Sequence, residues 1–162
     1  MSQKDLIENQ IPTEKDFSFV ARSLDREPKG RFTVSVRDEV GNPRVIRNYP
    51  LLPDGSPMPT LYWLVDPKVR SKIGFLESHG GVKQAESECD ESDLAKAHLR
   101  YSQERDSEIP TAHMGPKPSG GVGGTRQGVK CLHAHYAWFL AGGKDPIGEW
   151  VDQKLNEMNK NS

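Results

Sequence analysis

The sequence predicts an α+β fold, a small antiparallel sheet covered by about four helices, from three observations. Short alternating stretches fill the first part of the chain, apolar residues at helical spacing fill the second, and most of the helical stretches carry a cap or stop residue. With 162 residues the chain suits one domain with a modest core. The expected organisation is a flexible leader over 1–16, a single α+β domain over 17–156 and a frayed tail over 157–162.

The leader is mostly polar and holds at most a short helix from Lys4 to Asn9. Phe17 to Leu24 reads as a first strand or strand-to-turn passage. Phe32 to Val36 alternates cleanly, with Phe32, Val34 and Val36 on one side, and the Asp38–Asn42 turn leads into a second strand over Arg44 to Tyr49. Four prolines between Pro50 and Pro59 prevent regular structure, and Leu61 to Val65 follows as a buried strand. Asp66 and Pro67 open a helix that should stop at Gly80 and Gly81. An acidic run from Glu86 to Asp93 reads as solvated surface, with Ser92 capping a helix to about Arg105 that buries Leu94, Ala97, His98 and Tyr101. Two more helices follow, from about Val129 to Leu140 and from Asp145 and Pro146 onward.

Between these helices lies the most informative interval. No carboxylate occurs between Glu108 and Asp145, while Lys117, Arg126, Lys130 and Lys144 supply positive charge and three of the five histidines fall there. Gly120, Gly121, Gly123 and Gly124 can expose successive backbone N–H groups, Thr125 adds a hydroxyl, and Arg126 and Lys130 add charged arms, a donor density suited to phosphate. The spacing matches neither a Walker loop nor a dinucleotide fingerprint.

The Cys131, His133 and His135 cluster follows at once. On a helix, Cys131 and His135 lie about 40° apart, and His133 is turned roughly 160° from His135. Cys131 and His135 are therefore the expected metal pair, with Zn as the candidate ion and His98, Cys89 or His113 available to complete the shell. Were the stretch a strand, its period of two would align all three. Cys131 is also a candidate nucleophile with His135 as base, and His98 a proton-transfer candidate. In the plain alternative, His133 is a hydrogen-bonded core histidine and Cys131 a small buried hydrophobe.

The stretches VARSLDREPKGRFTVSVRD, YPLLPDGSPMPTLYWLVDP and GGVGGTRQGVKCLHAHYAWFLAGG resemble the bacterial family catalogued as domain of unknown function 501, over roughly residues 18–152. The resemblance implies a small cytoplasmic bacterial protein, and it matches the glycine loop and the Cys131, His133 and His135 motif without giving them roles. The resemblance also implies an association with genes of cell division and of phosphate hydrolysis, and in the alternative of a regulatory or interaction module the Pro50 to Pro59 segment and the Trp150 helix form the partner surface.

A net charge of -1, with aromatics that read as core, argues against nucleic acid as a partner. No apolar run nears the roughly 20 residues of a membrane helix, so no direct membrane insertion is expected. Only Cys89 and Cys131 are present and no apolar leader opens the chain, which makes the cytoplasm the expected compartment. The leading expectation is a protein that binds a phosphate-containing small molecule and catalyses its hydrolysis or transfer. Its alternatives are a non-enzymatic module of division or envelope growth with a protein partner, and a metal-dependent enzyme using the Cys/His cluster.

Overall fold

The structure, a computed structural model, describes residues 2–161. Its centre is the antiparallel sheet β1 (Phe32–Arg37), β2 (Pro43–Asn48) and β3 (Tyr62–Leu64), paired in that order. Around it stand α1 (Gln3–Gln10), α2 (Glu14–Leu24), α3 (Pro67–Ser78), α4 (Gly81–Glu88), α5 (Glu91–Asp106), α6 (Leu132–Leu140) and α7 (Pro146–Lys160). The α+β class is as the sequence predicts, but among the described residues seven α-helices replace the expected four.

Both sheet faces are covered, because successive strand residues point to opposite sides. Ile46, with Phe32 and Val34 of β1, packs on Val20 of α2. Val45, Tyr62 and Leu64 face the larger cluster with Tyr101, Leu132, Ala137, Trp138 and Ile147. The register slips between Val34 and Val36, so Val36 packs with the larger cluster and not beside Phe32 and Val34.

The stretch expected as a first strand, Phe17 to Leu24, is helical instead. The Thr13 side chain accepts from the Asp16 N–H and Asp16 accepts from the Thr13 N–H, a reciprocal cap that starts α2. Asp16 also holds Arg37 of β1 at 2.8 Å, and hydrogen bonding to that guanidinium lowers the Asp16 pKa. The Gly80–Gly81 stop is a corner, since Gly81 itself opens α4 and Ala85 of α4 is buried.

The acidic run does more than face water. Asp90, and not Ser92, caps α5, accepting from Ser92 N–H at 2.7 Å. Glu88 accepts from the Trp150 indole at 2.7 Å, and Glu86 from Val129 N–H at 2.8 Å. The predicted caps Asp66 and Asp145 sit at the starts of α3 and α7. Tyr101 reaches from α5 to accept the Leu61 N–H at 2.6 Å, which ties that helix to the approach to β3. No helix among the described residues is long and apolar enough to cross a membrane.

Candidate metal centre

The end of α3 and the start of α6 meet beside β3. Cys131 is not in the helix: it caps α6 with extended dihedrals, φ -149 and ψ 120. Helical geometry therefore begins one residue later than the expected Cys131–His135 pairing requires. Cys131 and His133 instead come together with Glu77 from the last turn of α3, and the three ligand atoms lie within 4.8 Å of one another.

Glu77 and His133 are each held by a second contact. Glu77 Oε2 accepts the Leu132 N–H at 2.8 Å, filling one of the unpaired donors at the α6 N-terminus, where negative charge is favourable. Its other oxygen, Oε1, lies 3.2 Å from His133 Nδ1. His133 Nε2 donates to the Arg70 carbonyl at 3.1 Å. Burial pulls the His133 pKa down, but hydrogen bonding to Cys131, the Glu77 charge and the Arg70 carbonyl together raise it above its ordinary value.

Cys131 and His133 open onto a pocket of about 680 Å3, whose wall includes Leu24, Trp63 and Leu64 and whose cations are Arg26, Arg70 and Lys130. Lys130 and Gly123 of the predicted anion loop line it as well.

His135 lies elsewhere. It is fully buried, its Nδ1 donates to Asp145 Oδ2 at 2.6 Å, and its Nε2 has no partner among the described residues. Asp145 Oδ1 accepts the Ile147 N–H, so His135 braces the cap of α7. The roles of the two histidines are thus exchanged relative to the core alternative: His135 is the interior residue, and His133 shares the pocket with Cys131.

His98 stands 5.7 Å from His135, ring centre to ring centre, and is committed on both nitrogens. Nδ1 accepts the Val122 N–H at 3.0 Å and Nε2 donates to the Gly128 carbonyl at 2.8 Å. Burial lowers its pKa. This ring pins the glycine loop at Val122 and at Gly128.

The loop's donors are spent largely on itself. Gly121 N–H donates to the Thr125 carbonyl and Gly124 N–H to the Gly121 carbonyl. The Thr125 hydroxyl donates to the Gln127 carbonyl. The buried Arg105 guanidinium donates to the Gly120 carbonyl at 3.0 Å. Arg126 borders a separate hollow of about 410 Å3 beside His98 and Gly120, away from Lys130.

Sequence reasoning missed Glu77, Arg26 and Arg70 as site residues. Only Glu77 left a local signal, since a carboxylate in the last turn of a helix opposes the helix dipole unless something else holds it.

The fold and site together define an α+β domain with a Cys/His/Glu cluster at the edge of a cationic pocket. The profile of a bacterial family described as protein of unknown function (DUF501) matches residues 34–153, and the chain belongs to that family. No curated protein and no solved structure matches it.

Proposed function

We propose that the protein is metal-dependent and binds a zinc-class divalent ion through Glu77 Oε1, Cys131 Sγ and one His133 ring nitrogen. The observation that carries this reading is the convergence of three different ligand types within 4.8 Å. Thiolate, imidazole and carboxylate are the zinc donor set. The 3.2 Å between Glu77 Oε1 and His133 Nδ1 suits a tetrahedral edge, roughly 3.3 Å for ligands at about 2.0–2.1 Å from the ion.

The surrounding contacts support the same reading. A ligating histidine usually gives its other N–H to a carbonyl or carboxylate, and His133 Nε2 has the Arg70 carbonyl. Glu77 has one oxygen engaged by backbone and the other turned to the cluster.

Three protein ligands beside an open pocket is the ligand count of catalytic zinc sites, in which the ion lowers the pKa of a bound water to about 7. The function this supports is metal-dependent hydrolysis or group transfer on a small molecule held in the pocket. Glu77, Cys131 and His133 hold the ion, and the pocket wall positions the substrate.

Elemental analysis after loading with one equivalent of zinc and desalting tests the binding. Wild type and Cys89→Ser retain about one zinc per chain, while Cys131→Ser and His133→Ala lose most of it. Equal zinc in all four proteins, or none in wild type, overturns the reading.

A further inference from the structure

Arg26, Arg70 and Lys130 make no ion pair among the described residues, whereas Arg37, Arg44, Arg47 and Arg105 each sit on a carboxylate. These three cations line one pocket, the one that Cys131 and His133 share, while Arg31 and Arg126, which also lack an ion pair among the described residues, each border a different one. The pocket of Cys131 and His133 has no Asp or Glu in its lining. Three other pockets among the described residues each include a carboxylate: Glu108, Asp106, and the group Asp38, Glu39 and Asp66.

Two of the cations are held by contacts that leave their charge uncompensated. The Arg26 guanidinium lies over the Trp63 ring, 5.1 Å from its centre. Arg70 Nη1 donates to the Leu64 carbonyl at 3.2 Å. Carbonyls and ring faces orient a guanidinium without neutralising it, so both side chains stay available to an anion.

We infer that this pocket binds a phosphate monoester, its phosphoryl oxygens facing Arg26, Arg70 and Lys130 and its organic group lying against Leu24, Trp63 and Leu64. Three cations match a dianionic phosphoryl group better than a single carboxylate, and Thr60 supplies a hydroxyl in the same lining. The volume of about 680 Å3 exceeds what a bare anion fills and lies in the range of small-molecule sites. The inference rests on the metal reading for the chemistry done on the ligand, and on the three cations alone for its capture. It moves phosphate recognition from the glycine loop to side chains of three separate segments, of which only Lys130 belongs to that loop's neighbourhood.

Calorimetric titration with phenyl phosphate, inorganic phosphate and benzoate tests it, on zinc-loaded protein and on protein kept in chelator. Phenyl phosphate binds more tightly than either of the others, and the Arg26→Ala, Lys130→Ala double variant weakens it about tenfold or more. Both side chains are exposed, so the variant keeps its melting temperature and its zinc content. Unchanged affinity in that variant, or equal affinity for benzoate, overturns the inference while the zinc content still reports on the metal. Equal affinity for inorganic phosphate overturns the ester in favour of the free ion. Loss of zinc binding with phenyl phosphate still discriminating between wild type and the double variant defeats the metal reading and leaves the capture of the ester standing.

Discussion

His133 and His135 differ by two positions and live in different environments, and the difference comes from where α6 starts. His133 sits in the first turn, where a helix offers unpaired N–H groups and Glu77 comes to meet them. His135 is one step further in and faces the interior, where only Asp145 receives it. Replacing His135 by Ala leaves the Asp145 carboxyl buried with half its partners gone. The expected loss is about 3–5 kcal/mol, seen in a denaturant melt. A loss below about 1 kcal/mol would contradict the interior role.

His98 gives a pH signature of definite sign. Its folded pKa is depressed, because burial and an accepting Nδ1 both disfavour the charged ring. Below the unfolded value of about 6.5 the unfolded chain takes up a proton that the folded chain refuses, so stability falls as pH falls from there toward the folded pKa. His133 has a raised pKa and contributes with the opposite sign, present below the unfolded value and lost as pH rises through the folded one. The difference between wild type and His98→Gln therefore isolates His98. Metal-free wild type should lose stability more steeply than His98→Gln between about pH 6.5 and 5.5, by at most about 1.4 kcal/mol per unit. Parallel pH profiles would refute the pinning role.

Among the elements, the glycine loop is a built piece of structure whose fixed points are His98 and Arg105. A Cβ on Gly121 would come within 2.6 Å of the His98 Cβ and Nδ1, contacts no side chain tolerates. Gly121→Ala should cost about 1–3 kcal/mol by overpacking. That is about 2–4 °C of melting temperature per kcal/mol in a chain of this size. A melt within a degree of wild type would show that the loop is not packed against His98.

The elements that were legible in the sequence are those set by local chemistry. Asp66 with Pro67 and Asp145 with Pro146 mark α3 and α7, and the Phe32–Tyr49 hairpin follows from alternation and its turn. The α2 helix was written as Thr13-x-x-Asp16, but Phe17, Phe19 and Ala21 alternate well enough to hide it. The cluster was half legible. Cys131 and His133 are visible as a motif, yet their meeting depends on Cys131 staying extended, and Glu77 lies 54 positions before Cys131 in a helix that gives no sign of where its end will dock. The interval without carboxylates leads to this pocket through Lys130 alone, while Arg26 and Arg70 reach it only through the packing of α2 and α3 around β3.

At the scale of the molecule, one sheet carries two unequal layers, and the pocket lies where they meet. Leu24 and Arg26 come from the end of α2 and the turn after it, Tyr62 to Leu64 from β3, and Cys131 to Ala134 from the start of α6. Such a junction gathers ligands and cations from segments far apart in the chain, so a small domain can offer a site without a large cleft. The account stands on the identity of the atoms around a bound ion, and X-ray absorption of the zinc-loaded protein reads them directly. It predicts a first shell with one sulfur at about 2.3 Å and the remaining ligands nitrogen or oxygen at about 2.0–2.2 Å. A shell with no sulfur, or with two or more, would contradict the centre built from Glu77, Cys131 and His133.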